Sequence, residues 1–76
     1  MITYEKALET AKSLKRNVDA CDEYEDAYCF KCREEEFEIG GAGACVVLKE
    51  NGRALNQLYY FENYGGKFVR EIPVEA

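Results

Sequence analysis

The chain has 76 residues, a net charge of −5, 47 % hydrophobic residues and no histidine. This length suits a single domain, residues 1–76, with a modest core, and the hydrophobic content excludes a disordered chain. The longest uncharged run, from Ile39 to Leu48, is about half the length needed to span a bilayer, and the N-terminus lacks the regions of a signal peptide, so we expect a cytoplasmic protein.

The opening segment predicts a helix near residues 3–17. Apolar residues such as Tyr4, Ala7 and Ala11 recur at the helical spacing that places them on one buried face. Thr3 is the expected N-cap, and acidic residues lie early and basic residues late, as the helix dipole favours.

An acidic connector follows, and the pattern then changes to the alternation of strands. The sequence predicts strands at Ala27 to Cys32 and at Ala44 to Lys49, with a short further strand at Glu36 to Ile39. Asn51-Gly52 is a hairpin signal, so we expect Arg53 to Phe61 to return as an antiparallel strand.

The last part of the chain predicts a turn and one more strand. Glu62 to Lys67 contains Gly65-Gly66 and is interpreted as a turn, and Phe68 to Ile72 as an edge strand limited by Pro73. A helix followed by a meander of strands predicts an α+β fold. We expect the N-terminal helix to pack on one face of a three- to five-stranded antiparallel sheet, with the other face only partly covered.

Four cysteines include the pair Cys29 and Cys32, which has the spacing of redox and metal motifs. On a strand, residues three apart point to opposite faces and lie about 10 Å apart, whereas a disulfide needs α-carbons within roughly 7 Å. Zinc requires its thiolate ligands still closer together. We therefore predict reduced cysteines that fill the core, with no metal and no cofactor.

Acidic residues are concentrated between residues 19 and 38, where nine acids and two bases give a charge of −7. Such a field repels nucleic acid and anionic membranes and favours a basic protein partner. The acids Asp22, Glu23, Glu25 and Asp26 are the predicted steering residues for that partner. They miss the calcium-loop pattern, and without histidine the chain has no obvious base for a nucleophile, so we do not expect an enzyme.

Aromatic residues are concentrated in the last third of the chain. Some must pack beneath the helix, but adjacent Tyr59 and Tyr60 cannot face the same side of one strand. Exposed tyrosines are typical of protein-binding surfaces. The pool predicted to contain a partner-binding anchor is Tyr59, Tyr60 and Tyr64.

The segments ITYEKALETA, EDAYCF and IGGAGACVVLKENGRAL resemble the YrhB-like family of small bacterial immunity proteins of polymorphic toxin systems. The resemblance covers roughly Ile2 to Phe61 and is most specific where Gly40-Gly41 leads into the strand and the Asn-Gly hairpin. It implies a helix on a short antiparallel sheet and a cytosolic protein that neutralises a toxin by binding it. It implies no catalytic residues.

Two other functions remain open at this point. One is a housekeeping or assembly domain that forms a homodimer through the partly uncovered face of the sheet. The other is a small zinc-binding protein, which requires that the strand prediction around Cys29 and Cys32 be wrong.

Overall fold

A computed structural model describes residues 1–14, 18–31 and 44–74 of the chain. The described residues form α1 (Tyr4–Leu14), β1 (Ala20–Tyr24), β2 (Ala27–Lys31), β3 (Ala44–Leu48), β4 (Ala54–Asn56), α2 (Gln57–Asn63) and β5 (Phe68–Pro73). The strands make one five-stranded antiparallel sheet in the order β4-β3-β2-β1-β5. The predicted α+β fold, with the N-terminal helix on an antiparallel sheet, is confirmed.

Helix α1 packs on one side of the sheet, which we call the α1 face. Thr3 caps it as predicted, because its Oγ1 accepts a hydrogen bond from the Lys6 backbone N–H at 3.2 Å. Ala7 and Ala11 are fully buried, and their small side chains let the helix approach Phe30 and other core residues of the sheet closely. Residues 15–17, the end of the predicted helix, lie outside the described residues.

The hairpin between β3 and β4 forms where Asn51-Gly52 predicts it. Gly52 has a φ of 73°, a conformation that glycine adopts at little cost. The Leu48 N–H donates to the Arg53 carbonyl at 2.9 Å, which closes the turn. Strand β3 is paired on both sides and has buried residues on both faces, as its apolar sequence predicts.

Two predicted segments need correction, and the first is the acidic connector. Residues Ala20–Tyr24 form β1, which lies between β2 and β5 in the sheet. Aspartate and glutamate are depleted in strands, so the sequence Ala-Cys-Asp-Glu-Tyr gives a weak local signal. The strand forms because both neighbouring strands pair with it and place cations against its acids.

The second correction concerns Arg53 to Phe61, which does not form one long strand. Strand β4 ends at Asn56. The side-chain oxygen of Asn56 accepts a hydrogen bond from the Tyr59 N–H at 2.7 Å. This N-cap starts α2, which runs to Asn63. The turn predicted for Glu62 to Lys67 therefore begins only after the end of the helix. The run of aromatic residues favours a strand by propensity, but the cap and the burial of Tyr60 favour the helix.

Helix α2 carries the chain across the second side of the sheet, which we call the α2 face. The chain leaves β4 at one edge of the sheet and returns as β5 at the opposite edge. Tyr60 packs with Ala27, Cys29, Val46 and Leu48 in a second core on this face. Because α2 contacts β3 and β4, the part of this face formed by β1 and β5 is left less covered.

Strand β5 is the edge strand that the sequence predicts, and it pairs with β1. The register passes from Glu23 opposite Arg70 to Tyr24 opposite Phe68, which leaves Val69 as the extra residue of a bulge. The alternation predicted for Ala27 to Cys32 is also present, since Phe30 packs in the α1 core and Cys29 in the α2 core. Cys32 itself and the predicted strand Glu36 to Ile39 lie outside the described residues.

Candidate protein-binding surface

The first two predicted steering acids lie on β1 and are paired with cations. Asp22 accepts a hydrogen bond from Lys31 Nζ at 3.0 Å, on the α2 face. Glu23, on the α1 face, binds Lys49 Nζ at 2.7 Å through one oxygen and Arg70 Nε at 2.8 Å through the other. These contacts neutralise both carboxylates within the fold, which lowers the negative charge that a partner would meet here.

The Glu23 cluster makes stability depend on pH. Its hydrogen bonds to Lys49 and then Arg70 hold the pKa of the Glu23 carboxyl below its ordinary value of 4.5. A carboxyl with a lowered pKa in the folded state contributes stability that is present above its unfolded pKa and is lost as pH falls through the folded pKa.

We therefore expect the stability difference between the wild type and Glu23→Gln to be largest near pH 7 and to shrink below about pH 4.5. Urea unfolding at several pH values measures it. Glu62→Gln, an equal charge change at an exposed position of α2, is the control variant. A Glu23→Gln profile that stays parallel to the wild type would show that the cluster does not stabilise the fold.

The other two predicted acids lie at the turn between β1 and β2. Glu25 is exposed, its N–H donates to the Lys67 carbonyl, and its Oε1 accepts from the Lys67 N–H, both at 3.0 Å. Asp26 accepts a hydrogen bond from the Tyr60 hydroxyl. Glu25 therefore holds the segment between α2 and β5 against the sheet, and Asp26 holds α2.

The three predicted anchor tyrosines have different environments. Tyr59 is 46 % exposed and Tyr64 is 37 % exposed, so both present surface to a partner. Tyr60 is 1 % exposed, which removes it from the pool of surface anchors. Burial, followed by the bond to Asp26, raises the pKa of the Tyr60 hydroxyl, so the phenol stays protonated as the donor. Its role is to hold α2 on the sheet.

An exposed group of apolar side chains lies beside α2, and the sequence interpretation did not single it out. Phe61 and Phe68 both contact Tyr24, each with a centroid separation of 5.9 Å. Leu58 precedes Phe61 by three residues on α2 and therefore lies on the same side of the helix. We call Tyr24, Leu58, Phe61 and Phe68 the apolar patch. The sequence signal that could have identified this group is Asn56, because an N-cap there predicts a helix on which Leu58 and Phe61, three residues apart, lie on the same side.

A cleft of about 300 Å³ lies beside Tyr64. Its described lining is made of Met1, Leu48, Lys49 and Tyr64 together with the acids Glu25, Asp26 and Glu50. The Tyr64 ring stacks on Tyr60 at a centroid distance of 5.7 Å, and Tyr60 contacts Phe61 at 5.5 Å. The apolar patch and the cleft are therefore joined through one buried ring.

The described cysteines are buried or half-buried thiols. Burial raises the pKa of Cys21 and of Cys29 to about 12 in each case, so both thiols are protonated at neutral pH. Cys21 lies in the α1 core and Cys29 in the α2 core, on opposite faces of the sheet. Among the described residues, no group of three or more cysteines and acids is arranged to hold a metal ion.

Comparison of the chain with protein-family models, with curated proteins and with solved structures gives no match. Neither α1 nor α2 is long and apolar enough to cross a membrane, and no other helix lies in the described ranges.

Proposed function

We propose that this protein is a small binding protein that captures a basic protein partner through the apolar patch, as a toxin-neutralising immunity protein does. The observation that carries the proposal is the exposure of adjacent large apolar side chains. Leu58 is 69 % exposed, Phe61 50 % and Phe68 58 %, beside the half-buried Tyr24. The largest apolar patch on the surface of a soluble protein is often a functional surface.

The size of the patch suits the centre of a protein interface. A large apolar side chain has roughly 150–250 Å² of surface, so the patch exposes on the order of 300–400 Å². That is about half of the ~800 Å² that each partner buries in a standard interface. Polar residues such as Glu25 and Glu62 are exposed around it and supply the rest as a rim.

The patch is also held in place before any partner arrives. Tyr24 contacts the buried Tyr60 at 5.6 Å, and Tyr60 is bonded to Asp26. Phe68 is fixed by the pairing of β5 with β1. A surface ordered in advance loses less conformational entropy on binding, which favours high affinity from a small area.

Charge favours a basic partner. The chain carries −5, and the acids Glu25, Glu50 and Glu62 are exposed. Exposed acids at the rim mainly raise the association rate, and this effect weakens with salt. The resemblance to YrhB-like immunity proteins directs the proposal to a toxin among the possible basic partners.

A homodimer through strand addition at the β5 edge, which differs from the dimer through the sheet face considered above, is less favoured. Natural edge strands avoid pairing with one another by carrying charges, proline and bulges. Strand β5 carries Arg70, Glu71 and Pro73 and has the bulge at Val69. These features leave the apolar patch, rather than the sheet edge, as the surface for a partner.

Growth rescue tests the proposal, because a toxin gene is expected beside its immunity gene. Each reading frame that flanks the gene is expressed in a bacterial host alone and together with this chain. We expect one product to stop growth and this chain to restore it. We expect Phe61→Ser and Phe68→Ser each to weaken binding of that product by about tenfold or more, as hot-spot truncations do.

Leu14→Ser is the matched control, because Leu14 is 65 % exposed on α1, away from the patch. It should rescue growth and bind as the wild type does. The proposal is wrong if no neighbouring product is bound and the protein instead sediments as a dimer that Phe61→Ser dissociates. It is also wrong if both phenylalanine variants bind the toxin with unchanged affinity.

A further inference from the structure

We infer that the cleft beside Tyr64 receives the side chain of an arginine from the partner, an inference that rests on the proposed function. The cleft has apolar walls from Leu48, Met1 and Tyr64, and carboxylates from Glu25, Asp26 and Glu50. An arginine side chain has the same two parts, an aliphatic stem and a cationic end.

The volume of the cleft fits one side chain. At about 300 Å³ it lies at the lower end of the range for small-molecule sites, which is roughly 300–1,000 Å³. The patch and the cleft meet at Tyr60 and Tyr64, so one partner surface can cover the patch and extend one side chain into the cleft.

The charge of the cleft favours a cation. Among the described residues that line it, Lys49 is the lysine, and its Nζ lies 2.7 Å from Glu23 Oε2 and 4.9 Å from the centroid of the Tyr28 ring. Glu23 and Tyr28 belong to the α1 side of the sheet, so this ammonium is compensated away from the cleft. Within the described ranges, Glu25 and Asp26 each accept a hydrogen bond at one oxygen, and a carboxylate can accept several.

The aromatic wall favours arginine over lysine. A guanidinium group is planar, stacks on aromatic rings and binds carboxylates through two parallel hydrogen bonds. Tyr64 is 37 % exposed and its ring is fixed by stacking on Tyr60, so a flat surface stands beside the acids. A lysine ammonium is a compact charge that uses neither feature as well.

Titration of the isotope-labelled protein with N-acetyl-arginine methylamide, followed by NMR, tests this inference. We expect saturable chemical-shift changes at Glu25, Glu50 and Tyr64. The dissociation constant should be below about 50 mM, a weak affinity that a titration to about 100 mM can measure. The citrulline analogue, which has the same shape without the charge, should bind at least threefold more weakly. Shifts that do not saturate by about 100 mM, or that are equal for both probes, overturn the inference.

The double variant Glu25→Gln and Glu50→Gln should reduce probe affinity at least fivefold and leave the fold intact, since glutamine keeps an acceptor for the Lys67 N–H. Glu9→Gln, at an exposed acid of α1 outside the cleft, is the control and should leave the probe affinity unchanged. The inference is overturned if the double variant binds the probe as tightly as the wild type.

The two proposals fail in different ways. If the neighbouring toxin is bound with Phe61-dependent affinity but the double variant binds it as the wild type does, the function stands and the arginine site is wrong. If the probe saturates the cleft but no neighbouring product is bound, the site stands and the toxin proposal is wrong.

Discussion

Tyr60→Ala should lower the free energy of unfolding by about 3–5 kcal/mol, the usual cost of removing a large buried ring. Tyr60 is 1 % exposed and its ring contacts Tyr24, Phe61 and Tyr64. The whole stability of a small domain is about 5–15 kcal/mol, so this substitution should remove a large share of it. Urea unfolding followed by far-UV circular dichroism measures the loss.

Two further variants separate the ring from its hydroxyl. Tyr60→Phe keeps the ring but removes the hydroxyl that donates to Asp26. We expect it to lower the free energy of unfolding by about 1.5–3 kcal/mol, the usual contribution of a hydrogen bond to a charged group. Tyr59→Ala, at the adjacent 46 % exposed position, should stay within about 0.5 kcal/mol of the wild type. If Tyr60→Ala lowers the free energy of unfolding no more than Tyr59→Ala does, the Tyr60 ring does not hold α2 on the sheet.

Gly66→Ala should destabilise the protein by about 2–3 kcal/mol through overpacking and a disturbed hydrogen bond. A β-carbon at Gly66 would lie 2.7 Å from Asp26 Cγ and 2.8 Å from the Tyr60 hydroxyl oxygen. Gly66 has no positive φ, so the effect is one of space and not of backbone strain. The added methyl group must displace either the Asp26 carboxylate or the Tyr60 ring.

Gly65→Ala is the matched control for this steric effect. A β-carbon at Gly65 meets nothing within 4 Å, so this variant should be neutral or slightly stabilised. Thermal unfolding of the two variants side by side gives the comparison. Equal melting temperatures would show that the close packing of Gly66, Asp26 and Tyr60 is not maintained in solution.

The elements that could be predicted from sequence are those whose signal is local. The spacing of Tyr4, Ala7 and Ala11 predicts α1, and Asn51-Gly52 predicts the hairpin, because each depends on residues close together in the chain. Strand β1 was not predicted, since it forms by pairing with β2 and β5, and Lys49 and Arg70 reach its acids from distant parts of the chain.

The sequence also points to only part of the candidate surface, because only part of it depends on residues close together in the chain. The sequence identifies the aromatic residues near Tyr59 and Tyr64 as surface candidates, and both are exposed. It does not show that Tyr60 is buried or that Phe68 lies against Tyr24, because both contacts join distant parts of the chain. The acids were predicted to steer a partner, and the sequence does not show that Asp26 is bonded to Tyr60.

The pairing of β5 with β1 also sets the order in which the surface can be completed. Ala20 lies opposite Pro73, so this pairing closes one of the longest loops in the fold, and long-range pairings form slowly. Tyr24 and Phe61 belong to β1 and α2, whereas Phe68 lies against Tyr24 only when β5 is paired with β1. The proposed binding surface is therefore complete only in molecules in which this long-range pairing has formed.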